Sequence, residues 1–406
     1  MKRLLFFIFS ALLALVFAIA LIGDITHDWN HYQRQFLRAS HDRLSRQEQF
    51  GLLTGSIKQV MVKDLHRVDR CTTCHLAMEK PQLALGVEPF KEHPGNYLKW
   101  HPIEKFGCTV CHGGQGLATQ TNAAHGDVKH WEEPFLRGSL VQASCRQCHG
   151  NLQQIEDYAP MLVKGRELFK AKGCYGCHVV KDFGGTISQD LTEVGSKSYQ
   201  LIEADFEMMQ PPHDRIHWFL RKLKNPRMLN PGVRPEQLPP GEEEVFPSAM
   251  PNFALSDQEI QALTVYLLSL TASNVPSSYM ASMASEPPAP TAATPVEQGR
   301  LAFEKYGCAA CHGNGGVGGR RNPNSGLGQE VPPLLYAKAY YGDHVDDLKN
   351  VIRNGRQPVP RAQPSRPNPS LYMPAWKDRI SDEDIDALIA YLFSLSDKLP
   401  QTASTN

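Results

Sequence analysis

The chain has 406 residues, enough for two or three domains, and 42 basic residues balance 42 acidic ones. That balance excludes nucleic acid held by bulk charge and a strongly basic membrane-surface patch. Glycine and proline are plentiful, 31 and 30 residues, and the stretch 61–158 has no long apolar periodic run, so it cannot bury much side-chain surface unaided.

Lys2-Arg3 precedes Leu4 to Ile22, nineteen residues without a charge. At helical rise this spans roughly 28 Å, about a hydrocarbon core. Ala18-Ile19-Ala20 has the pattern of a signal-peptide cleavage site, but the apolar run continues past it. Residues 1–23 are therefore expected to be an uncleaved, single-pass anchor, with Lys2 and Arg3 inside and the bulk of the chain on the periplasmic side. Residues 24–60 place Trp29, Tyr32, Phe36, Leu37 and Leu44 at roughly helical spacing. They read as a helical stalk whose stripe packs on the adjoining domain, with a partner-docking helix as the sharper alternative.

The next stretch, 61–158, carries the string Cys-x-x-Cys-His three times: Cys71, Cys74, His75; Cys108, Cys111, His112; Cys145, Cys148, His149. The first cysteines recur 37 residues apart. Two further copies are present, at Cys174, Cys177, His178 and at Cys308, Cys311, His312. On a helical turn, residues i, i+3 and i+4 share a face. Two thiols and an imidazole then meet one flat object, as two thioether bonds to a haem edge with the histidine as proximal iron ligand require. All ten cysteines lie inside the five motifs, which leaves none for a zinc or disulfide partner. Five covalently bound haem c groups are expected, and in 61–158 they supply the apolar mass the side chains lack.

Distal ligands for that trihaem module are sought among eight non-motif histidines before Cys145. His93, His101 and His125 lie in Gly- or Pro-containing turns between the motifs and are the expected ligands. His66 and His130 are runners-up, His27, His31 and His41 read as surface residues, and Met61 and Met78 remain open.

Residues 159–275 and 295–400 repeat one pattern. Gly165-Arg166-Glu167-Leu168-Phe169 leads to Gly173-Cys174, and Gly299-Arg300-Leu301-Ala302-Phe303 leads to Gly307-Cys308. Met250-Pro251 precedes the capping box Ser256…Glu259 and the helix ending Tyr266-Leu267-x-Ser269-Leu270. Met373-Pro374 precedes Ser381-Asp382 and Tyr391-Leu392-x-Ser394-Leu395. Residues 276–294 between them read as a Pro/Ala/Ser linker on which the terminal domain can swing, and 401–406 form a tail. Gly313 to Gly319 has no preceding strand and reads as a loop beside the haem. His213, His217 and His344 read as structural.

The two repeats resemble class I cytochrome c domains, in which the methionine before the terminal helix is the distal ligand. The resemblance implies Met250 for the haem on His178 and Met373 for that on His312; Met208, Met209 and Met228 lack the Met-Pro context. The strings Asp69-Arg70-Cys71, His101-Pro102-Ile103-Glu104-Lys105-Phe106-Gly107-Cys108, His112-Gly113-Gly114-Gln115-Gly116 and Trp131-Glu132-Glu133-Pro134 resemble the trihaem part of membrane-anchored multihaem cytochromes that accompany quinol-oxidising cytochrome bc-type complexes. The expected fold is mainly α with much irregular loop. The expected function is a pentahaem carrier in the inner (cytoplasmic) membrane, relaying electrons from such a complex to a periplasmic cytochrome or reductase. Its potentials should rise from His/His to His/Met haems. The alternative is a haem enzyme reducing peroxide or nitrite at an open site. A Lys in place of a motif histidine would mark a nitrite-reducing haem, but all five motifs end in His.

Overall fold

The computed structural model describes residues 2–25, 27–78, 80–129, 131–181, 184, 188–229, 231, 248, 250, 252–272, 275–281, 294–318, 330–356, 373, 375–377 and 380–398. His130, Pro251, Pro374, Gly319, linker residues 282–293 and the tail 401–406 lie outside them. The chain divides into two compact units, Met1–Ser144 and Cys145–Asn406.

In the first unit, α1 (Lys2–Ile25) is long and apolar enough to cross a membrane, judged by length and composition. The expected stalk is two helices, α2 (Asp28–Ser40) and α3 (Arg46–Thr54), the latter opened by a capping box in which Ser45 and Glu48 satisfy each other's amides. The aromatic stripe packs inward. Phe36 and Leu44 join Leu76, Ala77, Leu83 and Phe90 in one buried cluster, with Tyr32 and Leu37 against it. Gln33 is fully buried. Its amide donates to the carbonyls of Ser56 (2.6 Å) and Thr73 (3.2 Å), which ties α2 to the first motif turn. These helices are thus built into the unit, with the stripe packed on its neighbours as the plainer reading expects. Beyond them, a two-stranded antiparallel hairpin of β1 (Val60–Val62) and β2 (Arg67–Asp69) pairs Val60 with Asp69. The rest is single-turn helices and loops, as a sequence without apolar periodicity should give.

The second unit contains α4 (Pro160–Ala171), α5 (Arg215–Lys224), α6 (Asp257–Leu268), α7 (Pro295–Lys305), α8 (Val345–Asn354) and α9 (Asp382–Ser394). Ser256 and Ser381 accept from the amides three residues on and start α6 and α9. The duplication is plain in the packing. α4 crosses α6 at Gly165, where a Cβ would strike the Ala262 carbonyl; α7 crosses α9 at Gly299, where it would strike that of Ala387. Phe169 against Tyr266 (5.3 Å between ring centres) corresponds to Phe303 against Tyr391 (5.5 Å).

The boundary between the units falls inside the expected 61–158 module. The third motif is grouped with the second unit: the Leu152–Ile155 turn packs on α4, and the Ala281 amide donates to the Cys148 carbonyl (3.1 Å).

Candidate haem-attachment sites

All five motifs form tight turns, with the amide of each histidine donating to the carbonyl of the first cysteine at 2.9–3.1 Å. This winding brings both thiols and the imidazole to one side, as the sequence spacing requires. Burial pushes the Cys74 and Cys308 thiols up to about 12. It also raises Cys148. The Cys108 thiol is raised most, first by a hydrogen bond with the Cys71 thiol and then by burial. The first two motifs therefore meet at their leading cysteines.

The second motif turn is held by Asp69, which is only 1% exposed. Its carboxylate accepts from the amides of Cys108 (2.5 Å) and Thr109 (3.0 Å) and from the Thr109 hydroxyl (2.7 Å). Gly107 and Gly116 leave room for it, since a Cβ on either would collide with the carboxylate. The sequence signal was only an acidic residue two positions before Cys71, and its role escapes sequence reasoning because its partners lie 39 and 40 residues away.

The histidines fall into pairs. The rings of His75 and His125 have centres 6.2 Å apart, and so do those of His93 and His112. A metal–imidazole bond is about 2 Å and the ligating nitrogen sits about 1.1 Å from its ring centre, so two imidazoles on opposite faces of one iron stand about 6.2 Å apart. Both pairs thus have the separation that two imidazoles binding one iron would have. In His112, Nδ1 is turned to the Leu136 carbonyl (3.2 Å) and in His93 to the Pro94 carbonyl (3.0 Å), so Nε2 is the nitrogen that would ligate a metal. Burial, above all, lowers the pKa of His75, His112, His125, His178 and His312 and holds each as neutral imidazole, the ligating form.

The order is crossed. His125, beyond the second motif, lies beside the motif histidine of the first, while His93, between the motifs, lies beside that of the second. Phe135 lies between the two pairs, stacked on His112 (5.5 Å, 17°) and 4.7 Å from His125, with the Arg137 guanidinium 5.3 Å from its ring centre. Sequence reasoning did not single it out. The return loop depends on glycine: a Cβ at Gly113 would stand 2.5 Å from the Pro134 carbonyl oxygen, and one at Gly114 2.5 Å from that of Ala124.

The remaining candidates have varied surroundings. His101 lies edge-on to Phe106 (5.0 Å), with Nδ1 3.2 Å from the Tyr97 carbonyl. Exposed His66 sits at the end of the hairpin with φ 51°, and Met61 is also exposed. His31 and His41 are exposed and His27 half-buried. His178 Nδ1 faces the Gln189 carbonyl (2.8 Å) and His312 Nδ1 that of Pro332 (3.5 Å). Met373 packs on the same apolar cluster as Cys308. Met250 is half-buried, its amide donating to the Ser248 hydroxyl (3.4 Å). His213 stacks on Phe206 and His217 pairs with Asp214 (2.7 Å).

Residues 162–271 match the cytochrome c family profile, and residues 294–392 match that of cytochrome c oxidase, cbb3-type, subunit III. With the motif turns above, this defines the chain as a c-type cytochrome, mainly helical, whose domains of this kind bind haem c covalently. Among curated proteins, the chain is 33% identical over 107 residues to the cbb3-type cytochrome c oxidase subunit CcoP of Azospirillum brasilense, covering 26% of this chain and 30% of that protein. It is 32% identical over 100 residues to the CcoP of Azospirillum sp. (strain B510), covering 25% and 28%. The chain thus spans less than a third of the length of these relatives. No solved structure matches the chain.

Proposed function

We propose that the chain is a membrane-anchored pentahaem cytochrome that relays electrons along itself, with no catalytic haem. The observation that carries this reading is the pairing of His75 with His125 and of His93 with His112 at the spacing of two axial ligands. An iron held on both faces by such a pair would offer no position to a small substrate, which disfavours peroxide or nitrite reduction at those two sites. We assign Cys71, Cys74, Cys108, Cys111, Cys145, Cys148, Cys174, Cys177, Cys308 and Cys311 to thioether bonds and His75, His112, His149, His178 and His312 to the proximal positions. His93, His101, His125, Met250 and Met373 supply the distal ones. When bound, haem c supplies reversible one-electron transfer; the protein fixes the ligands, excludes water and sets the potentials.

His/His haems sit at lower potential than His/Met haems, so electrons run from the first module toward the terminal domain. A quinol-oxidising complex is the proposed donor, taking up the resemblance of the first half. The similarity of 294–392 to a cbb3-type oxidase subunit supports a membrane oxidase complex on the accepting side. The expected holoprotein, in the inner membrane and facing the periplasm, carries five haems by intact mass. Its ferric electron paramagnetic resonance (EPR) spectrum is wholly low-spin. A stoichiometric high-spin signal in fully matured protein would favour the enzyme reading instead.

A further inference from the structure

The fourth and fifth motif turns, both in the second unit, touch each other backbone to backbone. Gly173, just before Cys174, lies against Ala310: a Cβ there would stand 2.5 Å from the Ala310 amide nitrogen and 2.7 Å from its Cβ. Gly307, just before Cys308, lies against Gly176, where a Cβ would overlap the amide nitrogen and Cα. A Cβ at Gly176 would in turn sit 2.6 Å from the Gly307 carbonyl oxygen. The contact is therefore reciprocal. The residue before each motif meets the second intervening residue of the other, as in a two-fold interface between identical subunits. Gly173 and Gly307 also have φ of +72° and +67°, so each is tied to glycine twice, by conformation and by approach.

Small residues at such a crossing let two backbones come closer than any side chain would permit. Nothing about haem attachment itself demands that closeness. We propose that this glycine contact is a fixed electron-transfer junction between the two cytochrome c domains, with Gly173, Gly176 and Gly307 as its positioning residues. The inference rests on the reading that both motifs carry haem. Whatever is bonded to Cys174 and Cys177 is anchored on a turn that touches the one bearing Cys308 and Cys311. The step across it is one electron, leaving the group on one turn and reducing the group on the other, with no bond made or broken. The sequence expectation of a terminal domain swinging on its linker gives way to a docked one.

The test uses the full-length holoprotein with a protease site placed within residues 283–292. After cleavage, the terminal fragment should co-elute with the rest in gel filtration, and laser-flash photoreduction should show electron exchange between the two domains unchanged. Release of the fragment overturns the proposal. Haem staining of the fragment on a denaturing gel reads the underlying assumption separately: a fragment without covalent haem contradicts the assignment of the fifth haem, not the docking. Gly176→Val in the same background should release the fragment and slow the exchange while both domains keep their haems. Retained docking and an unchanged rate would overturn the role given to the glycines.

Discussion

Gly299→Ala sets two effects of opposite sign against each other. Alanine in a helix interior is favoured over glycine by about 1 kcal/mol, so α7 alone would be stabilised. But the new methyl would overlap the Ala387 carbonyl oxygen and lie 2.5 Å from its carbon and 2.7 Å from Tyr391 Cβ. None of these atoms can rotate away, so α7 and α9 must move apart along the core that holds Phe303, Leu388 and Leu392. Overpacking of this kind costs about 1–3 kcal/mol, and with backbone as the obstacle the upper part of that range applies. The net loss is about 1–2 kcal/mol, which for a domain near 100 residues lowers Tm by about 4–15 °C. Differential scanning calorimetry is the assay, with Gly165→Ala as the companion variant. Each variant should lower the transition of its own domain more than that of the other, to which it is joined at the glycine contact. A Gly299→Ala transition that rises by the propensity gain would show that α7 and α9 do not meet at residue 299.

Three further outcomes are expected. Replacing His125 or His93 by Ala should each convert one low-spin haem to high-spin in the EPR spectrum; an unchanged spectrum would break the pairing argument. Asp69→Asn puts an amide that both donates and accepts where three donors converge, and should destabilise the first unit by about 2–4 kcal/mol, read as a lower urea midpoint; an unmoved midpoint means the second motif turn is held by other groups. Met373→His should lower the potential of one haem in a redox titration and leave the others nearly alone, and the assignment fails if none moves down.

The features legible in the sequence are those carried by local spacing. The five turns, the apolar helix after Lys2, the duplicated helix pairs and the caps at Ser256 and Ser381 depend on residues within a turn or two of each other. The stripe Trp29, Tyr32, Phe36, Leu37 and Leu44 declared a helix face, and its packing on Leu76 and Phe90 matched the plainer of two readings. The crossed pairing of the rings was not legible, because nothing in the order His93, His112, His125 says that the last of them turns back to His75. Asp69, Phe135 and the interlocked glycines were hidden for the same reason: their meaning lies in partners distant along the chain. Gly173 and Gly307 even looked ordinary, as parts of a repeated opening.

If the paired imidazoles are the axial ligands proposed above, their crossed arrangement also imposes an order on assembly. The chain is made from its N-terminus, so the first attachment turn is complete at residue 75, fifty positions before its second imidazole exists. The pair at the second turn closes as soon as residue 112 joins residue 93. On the proposed ligation, the site that begins first would therefore finish later, and an iron bound there before residue 125 was in place would have one open face. If the proposed pairs do ligate, a chain interrupted between residues 112 and 125 would have both imidazoles of the second site and only one of the first, the reverse of the order in which the cysteines appear.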